Sequence, residues 1–290
     1  MRKEEFAAMC AAGPVLLDGA TGSNLMKRGL PRGVCQEQWI LEHPEIMKEL
    51  QREYVAAGSD LIYAPTFSAN RYSLSRSGLG DRVAEMNRAL LALSKEAADG
   101  KALVAGDLTT TGVPLEPNGT MAYDTLFDIY SEQITALAEG GADLLIVETM
   151  LGVDETTVAL EAAQSVCELP VMCSLSVQAD GSAYFGGDCM EAVETLQELG
   201  ADAVGVNCSC GPEQLVSLVR NMKSIARIPL LVKPNAGMPA ISDSGEAVYP
   251  LGAAAFADSM QMLLDAGANL IGGCCGTTPE FIAELRKRIG

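Results

Sequence analysis

The sequence is short of basic residues. Lys and Arg number 20 against 38 Asp and Glu, a formal charge of −18 over 290 residues. Such a surface is a poor match for nucleic acid, which rewards clustered cations, so nucleic-acid partners are excluded and the charge serves solubility. Long apolar runs are missing too. None approaches the roughly 20 residues that span a bilayer, so no membrane segment is expected. The amino-terminal MRKEEFAAMC lacks the apolar region and cleavage site of a secretory signal. A cytoplasmic chain with reduced thiols is the resulting expectation. Histidine is nearly absent: the one copy, His43, precedes Pro44 at an expected helix start and reads as a surface residue. No linker or low-complexity stretch marks a boundary, and residues 1–290 read as one domain.

Short apolar runs are abundant. They fall at 15–22, 60–67, 102–108, 143–149, 170–177, 203–208, 229–237 and 270–276. Each is rich in Val, Leu and Ile and too short for a helix, as in parallel strands buried on both faces. Between them, HPEIMKELQREYVAAG and YDTLFDIYSEQITALAEGG repeat apolar residues at three and four positions and end in Gly, the pattern of amphipathic helices with a stop. About eight strands alternating with helices predict a closed (βα)8 TIM barrel, with an open doubly wound sheet as the alternative.

A weak repeat supports the barrel. Gly58-Ser-Asp, Gly141-Ala-Asp, Gly200-Ala-Asp and Gly267-Ala-Asn each lead into a run. Seven residues beyond each Gly lie Pro65, Glu148, Asn207 and Cys274; eight beyond lie Thr66, Thr149, Cys208 and Cys275. Equivalent geometry puts all of them at carboxyl strand ends, where barrel enzymes keep their chemistry.

That register draws attention to three of the nine cysteines. Adjacent Cys274 and Cys275 in LIGGCCGTTPE cannot readily pair with each other, and Cys208 arrives from another strand. Three soft ligands suit zinc, whose catalytic sites keep a fourth position open. Such a centre can hold an incoming thiol as a nucleophilic thiolate. Cys210, two residues on from Cys208, reads as a bystander. Cys10, Cys35, Cys167, Cys173 and Cys189 read as small buried hydrophobes. Glu148, ending LLIVE, is a carboxylate in an apolar setting and needs a partner or a wet cavity. Asp18 follows the same logic.

The runs GGCCGTTPE, VNCSCGPE and LLDGATGSNLMKRG resemble the homocysteine S-methyltransferase family over nearly the whole chain. KPNAGMP and the later YPL resemble the branch that forms the homocysteine-binding module of cobalamin-dependent methionine synthase. The resemblance implies a (βα)8 barrel, Zn2+ on Cys208, Cys274 and Cys275, and homocysteine sulfur at the fourth position. It implies that Glu148 and Asp18 hold the substrate ammonium and that backbone amides around Gly19 and Ala20 take the carboxylate. Asn207 is placed with the substrate-binding set, although its amide and that of Asn235 can serve loop backbone instead.

Three mouth segments depart from the family pattern: YAPTF, GDLTTTGVPLEP and QADGSAYFGGD. They leave the zinc ligands intact and bear on the acceptor or on the donor's docking. The expected activity is zinc-dependent methyl transfer to homocysteine, giving methionine. The chain has no room for cobalamin, folate and activation modules, so the expected donor is a methylated corrinoid protein supplied as a separate chain, with a small sulfonium or ammonium donor second. Transfer to another thiol, or in corrinoid-linked one-carbon catabolism, is the alternative enzymatic reading. A non-enzymatic zinc-binding protein is the third, and it requires a fourth protein ligand such as Cys210.

Overall fold

All eight apolar runs contain strands. In chain order the strands are β1 (Val15–Leu16), β2 (Leu61–Tyr63), β3 (Leu103–Thr109), β4 (Leu144–Met150), β5 (Val171–Leu175), β6 (Ala203–Asn207), β7 (Leu230–Lys233), β8 (Ala240–Ile241), β9 (Ala247–Val248) and β10 (Leu270–Ile271). The computed structural model describes residues 1–241 and 247–290. Eight strands join in parallel in the order β1-β10-β7-β6-β5-β4-β3-β2, and β8 and β9 form a small antiparallel pair. Leu17 bridges Leu61 in parallel, so β1 meets β2 and the sheet closes on itself. A doubly wound sheet would leave two free edges; the closed ring decides for the (βα)8 barrel.

The helices follow from their spacing. Pro44–Ala56 starts with Pro at its first turn, buries Met47, Leu50, Gln51 and Tyr54 on one face, and runs into Gly58 at φ 101°. Leu50 is fully buried, so Leu50→Ala would cost about 2–5 kcal/mol.

The repeat has a structural cause. Gly58, Gly141, Gly200 and Gly267 all take positive φ, where glycine carries no Cβ penalty. Two residues later, an Asp or Asn side chain accepts an amide from the strand before it. Asp60 takes Leu16 N at 2.8 Å, Asp143 takes Val104 N at 2.7 Å, Asp202 takes Val171 N at 2.8 Å, and Asn269 takes Leu230 N at 3.0 Å. Four identical clasps therefore fix alternate strands at the amino-terminal end of the barrel.

Alternation along each strand sorts the core into two shells. Val15, Leu17, Leu61, Tyr63, Ala105, Ile146, Met172, Ala203, Leu231 and Leu270 fill the barrel interior, and Phe6 and Cys10 of α1 (Lys3–Ala12) close its lower end. The other parity packs against the helices. Period-two continuation toward the carboxyl ends brings polar residues inward: Asp107 after Ala105, Glu148 after Ile146, Ser174 after Met172, Asn207 two steps after Ala203, Lys233 after Leu231, and Cys274 two steps after Leu270. In an eight-stranded barrel alternate strands contribute to successive layers. Pro65, Glu148, Asn207 and Cys274 belong to one layer. Gly19, Asp107, Ser174 and Lys233 form the layer beneath it.

Candidate active site

The three cysteines meet. The sulfurs of Cys208, Cys274 and Cys275 lie within 4.8 Å of one another, and Cys208 Sγ is 3.6 Å from Cys275 Sγ. Tetrahedral zinc with bonds of about 2.3 Å would set its sulfur ligands about 3.8 Å apart. The spacing and the soft donor set therefore fit Zn2+. The backbone is shaped for this: Cys208 takes φ 50°, an uncommon left-handed conformation for a residue other than glycine. Thr149 occupies the equivalent place after β4 and takes φ 56°. Gly276, at φ 86°, lets the chain turn away from the cysteine pair, and a Cβ there would lie 2.3 Å from the Tyr249 ring.

The trio shares protons unequally. Hydrogen bonds from Cys208 and Cys274 hold the Cys275 thiol down to about 3, aided by the Tyr249 hydroxyl. Cys274, beside the sulfurs of Cys208 and Cys275 and buried, is pushed well above the usual thiol range. One sulfur is thus already stabilised as a thiolate by its neighbours. Cys210 does not join the three-sulfur group, among the described residues. Of the five remaining cysteines, Cys10, Cys173 and Cys189 are buried, while Cys35 and Cys167 are half-buried; all are free thiols.

Glu148 lies in the cysteine layer, buried. Asn207 Nδ2 donates to Glu148 Oε2 at 3.1 Å. Burial pushes the Glu148 carboxyl up to about 7, with the positive charge of Lys233 opposing the rise. Asn207, placed with the substrate-binding set from the sequence, makes its hydrogen bonds to protein groups. Its oxygen accepts from Thr149 N and Ser174 Oγ, both at 2.9 Å, and its amide nitrogen donates to Glu148 and to Thr149 Oγ1 at 2.8 Å. All of its polar capacity goes into orienting Glu148 and the β4 end.

Asp18 and Ala20 also have protein partners. Asp18 Oδ1 is 2.7 Å from Lys233 Nζ, and Asp18 Oδ2 accepts Tyr63 N at 2.8 Å. Both of its oxygens are engaged by protein groups. Lys233 stays charged: burial opposes its charge, but Asp18 and Glu148 outweigh it and raise its pKa. Ala20 donates its amide to Thr277 Oγ1 at 3.1 Å. Gly19 packs so tightly that a Cβ would meet Tyr54 Oη at 2.7 Å; its amide makes no hydrogen bond among the described residues.

Several site residues escaped the sequence reading. Lys233 sits in PLLVKPNAG and Asp107 in ALVAGDL, each a charge inside an apolar run, which was the available signal. Tyr63, Asp107 and Asn235 each bury a side-chain oxygen without a hydrogen-bond partner, among the described residues. Tyr249 comes from the YPL run.

The mouth loops that depart from the family pattern are tied to the barrel. Thr66 Oγ1 donates to Asp107 O at 2.8 Å. Thr110 Oγ1 donates to Glu155 Oε2 at 2.7 Å, and Thr111 N to Glu155 Oε1 at 3.0 Å. In the third loop, Asp188 accepts Met190 N and Glu191 N and caps the helix Cys189–Glu198. Exposed apolar side chains lie on these and neighbouring mouth segments: Met26, Tyr184, Met238 and Val248.

A closed parallel barrel with three sulfurs and buried carboxylates at its carboxyl ends defines the class: a TIM-barrel protein whose clustered cysteines could hold a metal ion. Comparison with known proteins narrows this. Residues 15–289 match the family model described as homocysteine S-methyltransferase. The chain belongs to the homocysteine S-methyltransferase family, a family of methyl-transferring enzymes. Methionine synthases of Mycobacterium leprae and Mycobacterium tuberculosis are each 30% identical to it over 94% of this chain and 24% of their own length. The chain thus spans about a quarter of these relatives. The metallated homocysteine methyltransferase MmuM of Escherichia coli shares the fold, with TM-score 0.79, 23% identity, and coverage of 95% of this chain and 96% of that one. A carboxyl transferase domain of Rhizobium etli pyruvate carboxylase shares the barrel more distantly, at TM-score 0.57, 15% identity and coverage of 99% of this chain and 50% of that one.

Proposed function

We propose that this chain transfers a methyl group to the thiol of homocysteine, giving methionine, with Zn2+ held by Cys208, Cys274 and Cys275. The observation that carries the reading is the cluster of three sulfurs within 4.8 Å of one another, with Cys274 in the same barrel layer as buried Glu148. Zinc bound there supplies an acceptor thiolate at neutral pH. The protein's own groups do the rest. Glu148 presents a carboxylate to the acceptor ammonium, and Asn207 holds that carboxylate in place. The Gly19 amide, without a hydrogen-bond partner among the described residues, would serve as a donor for the acceptor carboxylate. The Cys208 and Cys274 sulfurs, and after them the Tyr249 hydroxyl, favour the anionic form of Cys275.

Homocysteine is small and its methyl donor must reach an open mouth. We assign the donor to a methylated corrinoid protein, which the apolar rim of Met26, Tyr184, Met238 and Val248 suits. No helix among the described residues is long and apolar enough to cross a membrane. A cytoplasmic setting keeps the thiols reduced, and residues 1–290 act as one barrel domain. Metal analysis and methionine formation test the reading. Purified chain should hold one zinc and methylate homocysteine, and Cys208→Ala should abolish both. Zinc retained with undiminished turnover in that variant would refute it.

The threonine-rich loop after β3 favours a second reading, in which another thiol is the acceptor. A panel of thiols offered with one donor separates the two: failure of homocysteine alone supports the second. A closed structural zinc site is less well supported, because Cys210 stays outside the sulfur cluster among the described residues.

A further inference from the structure

Asp107 lies inside the barrel on β3, in the layer directly beneath Glu148. Its backbone is fixed on both sides: Thr66 Oγ1 pairs with Asp107 N and O at 3.1 and 2.8 Å, and Gln133 Nε2 also reaches Asp107 O. The side chain is not satisfied in this way. Asp107 Oδ1 is buried without a hydrogen-bond partner, among the described residues. A buried, unpartnered carboxylate is costly, and a cation is its natural complement. The one cation in the layer, Lys233, is committed elsewhere. Its Nζ pairs with Asp18 at 2.7 Å and sits 3.6 Å from the centroid of the Tyr63 ring. Asp18 is thereby paired, whereas Asp107 has no cation partner among the described residues; burial, and then the Glu148 charge, hold its carboxyl well above the usual carboxylate range, so an arriving cation would favour its ionised form. Glu148 is the strongest charged influence on Asp107, as expected for carboxylates facing one space.

We propose that Asp107 is a second binding carboxylate for the acceptor's ammonium group, acting with Glu148 in the place that Asp18 cannot fill. This rests on the homocysteine reading and adds a specificity determinant to it: an ammonium in that space would donate to both carboxylates, while a thiol without an amino group would leave two buried carboxylates unmatched. Residues that repeat the Lys233–Asp18 pair cannot discriminate in this way, because that pair is complete without substrate.

The test compares calorimetric binding of L-homocysteine and of 4-sulfanylbutanoate, the same thiol acid without the amino group, to the zinc-loaded chain. Wild type should prefer homocysteine. Asp107→Asn should lower homocysteine affinity at least tenfold while leaving zinc content unchanged, 4-sulfanylbutanoate binding no weaker, and the thermal midpoint no lower than in wild type. Should that variant fail to fold, Asp107→Ser carries the same comparison. A variant that keeps the wild-type preference, or that weakens both thiols equally, overturns the proposal. A wild type that binds both thiols alike overturns it while leaving the homocysteine site standing; a wild type that binds neither removes both readings.

Discussion

Lys233 Nζ stands 2.7 Å from Asp18 Oδ1 and 3.6 Å from the centre of the Tyr63 ring, with all three residues buried inside the barrel. The pair is an internal counter-charge for a floor otherwise built of carboxylates. Removing one partner of a buried ion pair strands the other. Lys233→Met should therefore destabilise the fold by about 3–5 kcal/mol, read as a lower denaturant midpoint. Lys233→Met combined with Asp18→Asn should recover part of that loss, because no charge is then stranded.

The proposed zinc site draws its sulfurs from two separate strand ends. Cys275→Ser or Cys208→Ala should each reduce zinc to well below one equivalent after dialysis, measured by metal analysis. Cys210→Ser should leave it unchanged, since that sulfur lies outside the cluster.

Tyr249 hydrogen-bonds Cys275 and rests against Gly276. Partners of metal ligands commonly change metal affinity by about 10–100-fold. Tyr249→Phe keeps the ring and loses the hydroxyl, so zinc affinity should fall by about tenfold in competition with a chromogenic chelator. Gly276→Ala should be worse for folding, because it combines a positive φ with a clash against the ring.

Asn207 is the joint between the cysteine strand and Glu148. Asn207→Leu leaves the Thr149 amide, Ser174 hydroxyl and Glu148 carboxylate short of partners, at about 1–3 kcal/mol for each buried group left unsatisfied. The expected outcome is lower thermal stability together with a raised KM for the acceptor.

Glu155 gives a pH dependence away from the metal centre. Burial is the main cause of its raised pKa, with hydrogen bonds from Thr110, Thr111 and Tyr130 opposing. The folded chain therefore keeps this proton to higher pH than the unfolded chain. The associated stability is complete below the unfolded value of about 4.3 and is lost as pH rises through the folded one. Glu155→Gln removes that slope. Chemical denaturation of both proteins from about pH 4 to 7 should shift the difference in midpoint toward the variant as pH rises.

Much of the candidate site was legible because the barrel repeats. The count from Gly58, Gly141, Gly200 and Gly267 reached Glu148, Asn207, Cys208, Cys274 and Cys275, and the structure brings the three sulfurs together. The reason is physical: each glycine and the Asp or Asn after it clasp a strand of fixed length, so equal counts end in equal layers. Asp107 was missed because Gly100, although at positive φ, is not followed two residues on by an Asp or Asn as the four repeat glycines are, and Lys233 because no glycine leads into its strand. Asp18 was read for its type and position, but its type alone could not reveal Lys233, which comes from a strand 215 residues away in sequence.

By itself the sequence determined the alternation of strands and helices, the parity that turns Glu148 and Cys274 inward, and the three-sulfur donor set, since these follow from local periodicity and residue chemistry. Closure of the ring through Leu17 and Leu61, the occupation of Asp18 by Lys233 and of Ala20 by Thr277, and the unmatched carboxylate of Asp107 were decided only in the tertiary structure. Partner choice among buried polar groups depends on distances across the barrel, and no local pattern encodes them.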